Sequence, residues 1–243
     1  MSDSLFATLR ECALEIGEVV SGERGRGFSG RRESQYHLDL AADAVALRVL
    51  RGAGFRVVSE ESGVTEGGYL TVVVDPIDGS TNCDHGIPFF ATSLAVMRSD
   101  ELIAGLVMNH ATGSVYEAEK GGGAFRDSVA IQASGQRDVS SSIVSFSGLP
   151  ARHLGWAQYR SLGAASLEIC LVADGSLDIY GVAQYSALNP WDYLAGLLIA
   201  REAGAVSGDY RGQDLETAEQ VVRHPVFAAT QDLLTFMLET GNI

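Results

Sequence analysis

Lysine is almost missing from this chain: of 243 residues only Lys120 is a lysine, against 16 arginines. Genomic composition and a salty habitat both produce such a ratio. Cysteine is scarce as well. Cys12, Cys83 and Cys170 are odd in number and far apart. They make neither a zinc-binding spacing nor a disulfide framework, and predict a reducing, cytoplasmic setting. No apolar run approaches the ~18 residues that a membrane helix needs. The N-terminal segment has no basic n-region, and Arg10, Glu11 and Glu15 interrupt its apolar residues, so no signal peptide is expected. There is no internal repeat and no linker-like stretch. Positive charge is in deficit, with a formal net charge of −14 at pH 7, which argues against nucleic acid or an anionic membrane as partner. It does not exclude a phosphorylated substrate, because bound divalent cations invert a local field.

What the chain does have is concentrated in residues 71–82, TVVVDPIDGSTN. The β-branched run Thr71–Val74 predicts a buried strand. Asp75-Pro76-Ile77-Asp78 is then expected to turn sharply, since Pro76 fixes its own φ and cannot extend a hydrogen-bond ladder. Two acids three apart at a strand end can converge on one point. Gly79-Ser80-Thr81 reads as a helix start, whose free backbone N–H groups suit an anion. Carboxylates facing an anion site require cations between them, which is the logic of metal-assisted phosphate chemistry. Alone, this stretch is also compatible with an acidic turn and a capping serine.

Two further clusters repeat the pattern. Val57-Val58-Ser59-Glu60-Glu61-Ser62-Gly63 is a short β-branched run ending in acids and a glycine. Downstream, Asn189 as N-cap and Pro190 at the first helical position open an apolar helix with Asp192 in its first turn. An acid there complements the helix dipole on its own account. Around these clusters the periodicity predicts helices over 3–20 and 37–51, separated by a glycine-rich basic loop from Ser21 to Arg32. Strands are expected at 55–58, 70–75, 91–97, 102–108, 114–118 and 123–131, as an antiparallel meander. Beyond about residue 134 the pattern alternates: strand 142–146, helix 164–174, strand 177–180, helix 190–203, strand 226–229, helix 231–239. This is an α+β half, 1–133, followed by an α/β half, 134–243.

The motifs Glu60-Glu61-Ser62-Gly63, Asp75–Asn82, Gly86-Ile87-Pro88-Phe89, Ala111-Thr112-Gly113, Arg160 with Gly163-Ala164-Ala165, and Trp191–Gly196, in this order and spacing, resemble the inositol monophosphatase superfamily. That superfamily includes the archaeal-type fructose bisphosphatases. The resemblance spans nearly the whole chain, and Asp39-Leu40-Ala41-Ala42-Asp43 matches an earlier helix segment of the family. It implies an α+β class protein with a layered αβαβα sugar-phosphatase fold and an active site between the two halves. It implies a phosphomonoester hydrolase with two or three Mg²⁺ ions, Mn²⁺ being an alternative. One ion would rest on Glu60, Asp75 and the carbonyl of Ile77, and a second on Asp75, Asp78 and Asp192. The backbone of Gly79 and Ser80 would hold the phosphate. Asp39 and Ser80 match a family Asp–Thr pair that orients the attacking water, with serine in place of threonine. Arg160, Gly163, Ala164 and Tyr185, together with Asp192, would line the substrate side. The partner implied is a small phosphorylated polyol or sugar, in a homodimer.

Departures bear on the substrate. Inositol-specific members carry an acid where this chain has Tyr185. Bisphosphatases need cations for the distal phosphate, yet between Arg160 and Arg201 there is no Lys or Arg. Only Arg160, the Arg24–Arg32 loop or a neighbouring subunit could supply one. That loop could also be simply solvated. Asn82 stands where nucleotide-phosphate members show Glu, and His85 reads as a loop residue. The expectation is therefore an inositol monophosphatase-type enzyme for a small sugar or polyol phosphate, with fructose-1,6-bisphosphatase or a dual activity as the alternative. A haloacid-dehalogenase-like enzyme would need Asp-x-Asp and finds Asp-x-x-Asp here. A non-catalytic metal-binding module would leave the Asp39/Ser80 pair unexplained.

Overall fold

The computed structural model describes residues 2–22, 27–30 and 35–241, so most of the arginine-bearing part of the loop between the first two helices lies outside the described residues. The chain begins with helices α1 (Ser2–Gly22) and α2 (His37–Gly52). Strands β1 (Arg56–Ser59), β2 (Gly63–Val64) and β3 (Leu70–Asp78) lead to a short helix α3 (Ser80–His85). Strands β4 (Ala91–Arg98), β5 (Glu101–Asn109), β6 (Val115–Glu119), β7 (Gly123–Arg126) and β8 (Val129–Ala130) complete one eight-stranded sheet, in the order β2-β1-β3-β4-β5-β6-β7-β8. The second half holds β9 (Ile143–Ser147), β10 (Gln158–Arg160), α4 (Ala165–Ala173), β11 (Ile179–Val182), α5 (Pro190–Glu202), β12 (Val206–Asp209), β13 (Pro225–Ala228) and α6 (Gln231–Thr240). Its five strands are ordered β10-β9-β11-β13-β12.

Side-chain alternation along the strands decides the layering. On β3, Val72 and Val74 face α1 and α2 and pack with Leu9, Ile16, Ala42 and Leu50. Val73 points the other way, into a core that it shares with Ile169 of α4, Leu194 and Leu198 of α5, and Tyr180 and Phe227 of the second sheet. On the outer face of that sheet, Ile179, Val226 and Ala228 pack against Leu233, Leu234 and Met237 of α6. The result is five layers, αβαβα. Helices α4 and α5 lie between two sheets and are buried on nearly every side, which is why their sequences are apolar all round rather than amphipathic.

Several local expectations change. Asp75–Asp78 is not a turn: β3 runs through Pro76 to Asp78, and the pairing with β4 shifts register between Asp75↔Ser93 and Asp78↔Ala91. The irregularity absorbs the proline's missing N–H, as bulges do. The first sheet is not a pure meander, since β1 pairs with β3 in parallel. The single strand expected at 123–131 is divided by a turn at Asp127 and Ser128, both at positive φ, into β7 and β8. Strands β2, β10 and β12, which the sequence pattern does not mark, are sheet edges. An edge strand needs no continuous apolar run.

Close approach sets the spacing of the middle layers. A Cβ at Gly105 would lie 2.8 Å from the Ala195 carbonyl oxygen, and one at Gly196 would lie 2.8 Å from Cγ2 of Ile169. Gly105→Ala should therefore destabilise the protein by about 1–3 kcal/mol. At this chain length each kcal/mol lowers the thermal midpoint by about 2–4 °C. Gly52→Ala, where a Cβ meets nothing within 4 Å, is the control and should cost nothing. Thermal melts of the two variants check this.

Candidate active site

Two neighbouring strands and one helix from the far half of the chain meet at one place. Strand β1 delivers Glu60, whose backbone N–H donates to the Val74 carbonyl at 3.2 Å. Strand β3 delivers Asp75, 2% exposed. The first turn of α5 delivers Asp192. One carboxylate oxygen from each of Glu60, Asp75 and Asp192 lies within 4.8 Å of the other two.

Local hydrogen bonds hold each acid. Asp75 Oδ1 accepts the Ile77 N–H at 3.0 Å. Asp192 Oδ2 accepts the Asn189 N–H at 2.7 Å, completing a capping box in which Asn189 is the N-cap and Pro190 occupies the first turn. The start of α5 is tied to the first sheet by the Ser93 hydroxyl, which donates to the Trp191 carbonyl at 3.0 Å. Behind Glu60, the Ser59 hydroxyl donates to Asp43 at 2.5 Å and accepts the Glu61 N–H at 3.1 Å. The Glu61 side chain turns away to accept from Gln35.

Bringing these acids together is costly. Burial, then repulsion from Glu61, Asp39 and Asp78, raises the Glu60 carboxyl from its ordinary 4.5 to about 7. Burial, followed by the charges of Glu60, Asp78 and Asp192, pushes Asp75 well up. Asp192 is raised for the same reasons, by burial and then by Glu60 and Asp78. A hydrogen bond joins Glu60 and Asp75, so the pair shares a proton when no cation is near. The charges that act on these groups most strongly are other carboxylates. A cluster of hard oxygen donors in that state is suited to a divalent cation of the Mg²⁺ or Mn²⁺ kind, and the donor set fits.

Asp78 behaves differently from the three. Its carboxylate accepts from the backbone N–H of Ala165 (3.1 Å) and Ser166 (2.7 Å) and from the Ser166 hydroxyl (2.5 Å). It thus caps α4 and joins the two halves while its charge still acts on the cluster. Beside it, Gly79 adopts φ +83°, and a Cβ there would come within 3.0 Å of both the Ala164 Cβ and the Gly163 carbonyl oxygen. Gly79, Gly163 and Ala164 are thereby brought together. Ser80 follows as the first residue of α3. Asp39 is buried in the first turn of α2, where it accepts the Tyr36 N–H at 2.8 Å. The two helices touch, and Tyr36 Oη lies 3.2 Å from Thr81 Oγ1. Asp39 and Ser80 thus lie on adjacent helices, and the Asp39 charge acts on Glu60.

Other expected site residues lie further out. Arg160 is exposed, and its guanidinium donates to Gln158 Oε1 and the Tyr159 carbonyl. Tyr185 is 93% exposed on the loop before α5. His85 is the last residue of α3 rather than a loop residue, with a ring nitrogen 3.0 Å from the Thr81 carbonyl. A separate cavity of about 530 Å³, lined by Leu5, Phe55, Tyr69 and Lys120 among others, contains none of the site residues.

Two supporting residues escape a reading of sequence. The Asn82 amide donates to the carbonyls of Phe89 and Leu162, both at 2.8 Å. Glu168 accepts the N–H groups of Leu162 and Gly163 and the Ser145 hydroxyl. Together they set the 160–164 loop against the end of β3. The reach from Asn82 to Leu162, and from Ser145 to Glu168, joins segments too distant in sequence for spacing to reveal it.

A five-layered fold with an acidic centre where its first sheet meets the start of α5 defines a class, and comparison with known proteins narrows it to a family. Residues 2–238 match the profile of the inositol monophosphatase family. The chain is 35% identical to the inositol-1-monophosphatase of Mesorhizobium japonicum over 240 residues, covering 87% of this chain and 88% of that one. It is 33% identical to the fructose-1,6-bisphosphatase/inositol-1-monophosphatase of Thermococcus kodakarensis over 243 residues, covering 97% and 89%. A solved structure from Pyrococcus horikoshii, described as similar to inositol-1 monophosphatase, superposes with a TM-score of 0.84 at 28% identity, covering 98% and 99%. The chain belongs to the inositol monophosphatase family, and so to the hydrolases of phosphomonoesters.

The pKa directions carry a sign. Glu60, raised from 4.5 to about 7 in the folded protein, binds its proton more tightly folded than unfolded. Its contribution to stability is complete below about pH 4.5 and is lost as pH rises through about 7. In EDTA, the melting temperature should therefore fall between pH 5.5 and pH 8. Glu60→Gln should flatten that fall, and thermal melts of both proteins across the range check it.

Proposed function

We propose that the protein is a Mg²⁺-dependent phosphomonoester hydrolase acting on inositol monophosphate or a related small sugar or polyol phosphate. The observation that carries this reading is the convergence of the Glu60, Asp75 and Asp192 carboxylates within 4.8 Å. A phosphate dianion would be repelled by that cluster, so catalysis there needs cations. Glu60, Asp75 and the Ile77 carbonyl would hold one ion; Asp75, Asp78 and Asp192 would hold another. Two or three Mg²⁺, or Mn²⁺ in their place, would make water nucleophilic near neutral pH and offset the charge that develops on phosphate and leaving group.

The remaining work falls to the chain's own groups. Asp39 and Ser80 would orient the attacking water, one as acceptor and the other as hydroxyl. Backbone N–H groups of Gly79 and Ser80 would hold the phosphate, with Gly163 and Ala164 shaping its surroundings. Arg160 and Tyr185 would stand at the rim, where the alcohol part of the substrate leaves. On this reading 1–133 and 134–243 act as two halves of one site, in a homodimer, with no nucleic acid or membrane partner. A second reading, fructose-1,6-bisphosphatase alone or as a dual activity, is favoured by the doubly named Thermococcus relative and by the absence of an acid at Tyr185.

Phosphate release from a panel including inositol 1-phosphate and fructose 1,6-bisphosphate, with and without Mg²⁺, tests both readings; Mg²⁺-independent release from either would contradict them. Asp75→Asn should lower kcat by more than tenfold, a loss above ~1.4 kcal/mol in transition-state stabilisation. The same variant should melt no lower than wild type in EDTA at pH 8, because an amide there escapes the burial and repulsion that raise the Asp75 carboxyl.

A further inference from the structure

Helix α1 carries a glycine in its interior, Gly17, where alanine would be about 1 kcal/mol better. The reason for it lies across the interface. A Cβ at Gly17 would stand 2.8 Å from Nδ1 of His110, so the glycine leaves room for that imidazole, just beyond the end of β5. The ring's other nitrogen, Nε2, is 2.7 Å from Oγ1 of Thr92, a fully buried residue in β4. Thr92 Oγ1 in turn donates to the carbonyl of Pro76 at 2.8 Å. A hydroxyl has one hydrogen, and that hydrogen is spent on Pro76. His110 Nε2 must then be the donor to Thr92, which assigns the Nε2–H tautomer. Burial depresses the His110 pKa to about 4, so the ring stays neutral, and in this role, at any pH near neutral.

The Pro76 carbonyl is a particular acceptor. It lies inside the register shift between β3 and β4, and the Thr92 hydroxyl supplies it with a donor there. The same peptide unit ends in the Ile77 N–H, which donates to Asp75 Oδ1 at 3.0 Å. Carbonyl and N–H share one rigid plane. Holding the oxygen therefore fixes the direction of the N–H, and that N–H holds the Asp75 carboxylate.

We infer that His110 and Thr92 are positioning residues for the metal centre: they lock the plane of the Pro76–Ile77 peptide and through it the orientation of the Asp75 carboxylate. The inference rests on the reading of Asp75 as a metal ligand. Neither residue touches the cluster of acids. They act one and two links behind it, as supporting partners of ligands do, where loss typically costs 10- to 100-fold in metal affinity.

The test is Mn²⁺ binding to the purified full chain, followed by electron paramagnetic resonance, with EDTA melts recorded alongside. Thr92→Val keeps the shape and removes the hydroxyl; Thr92→Ser restores it. Thr92→Val should weaken Mn²⁺ binding by about tenfold or more, and Thr92→Ser should bind within about threefold of wild type. His110→Phe should weaken binding in the same sense, and His110→Gln, which keeps a donor near the Nε2 position, should recover part of it. The histidine pair carries the test if Thr92→Val does not fold. Wild-type Mn²⁺ affinity in folded Thr92→Val or His110→Phe would overturn the inference, as would equal losses in the valine and serine variants, because a purely structural role lowers the EDTA melt without separating them. Absence of Mn²⁺ binding in wild type would instead overturn the metal reading of Asp75, and this inference with it.

Discussion

Mutual repulsion among buried acids is the constraint around which this molecule is arranged. Burial raises the pKa of Glu60, Asp75, Asp78 and Asp192, and the charges of neighbouring carboxylates, Asp78 among them, raise Glu60, Asp75 and Asp192 further. Left to relax, such a group would separate or draw in water. It is kept together because each acid is anchored by backbone that cannot easily move. Asp75 is held by the peptide that follows it. Asp192 is held by the cap of a helix wedged between two sheets. Asp78 is held by the N-terminus of the other central helix. The packing energy of the core holds the charges where they repel, and a cation bound there would relieve that repulsion.

Helix N-termini enter twice, with different effect. At α5 the capping box uses Asp192, so an acid expected for helix chemistry and an acid expected for metal chemistry are one residue. At α4 the acid arrives from the other half of the chain, and Asp78 satisfies donors that the cap residue Ala164 has no side chain to satisfy. Closure of the site and capping of the central helices are therefore one structural event.

The sequence shows the helices and the long strands clearly, because amphipathic periodicity in α1 and α2 and β-branched runs such as Val72–Val74 are local. The five-layer order follows from the family resemblance rather than from any period. The acidic clusters stand out as well, each at a strand end or helix start. What stays hidden is long-range or marginal. Edge strands β2, β10 and β12 carry no alternating pattern to see. Pro76 points to a turn, and only the pairing with β4 reveals a bulge inside a continuous strand. The hold of Asn82 on Leu162, and of Thr92 on Pro76, joins segments that no spacing rule connects.

The order of the layers also bears on how the chain comes to be folded. The inner face of the first sheet, with Val73, Ala95 and Val107, is covered by residues of α4, α5 and the second sheet. A nascent chain that has emerged only as far as β8 presents that face bare, a broad apolar surface with nothing yet made to cover it. Cover comes with α4 and α5, whose last turn ends at Glu202. The first sheet must therefore wait, greasy and incomplete, until the whole stretch from Ala130 to Glu202 has followed it out of the ribosome. That interval is when the molecule is most exposed to aggregation and to capture by a chaperone.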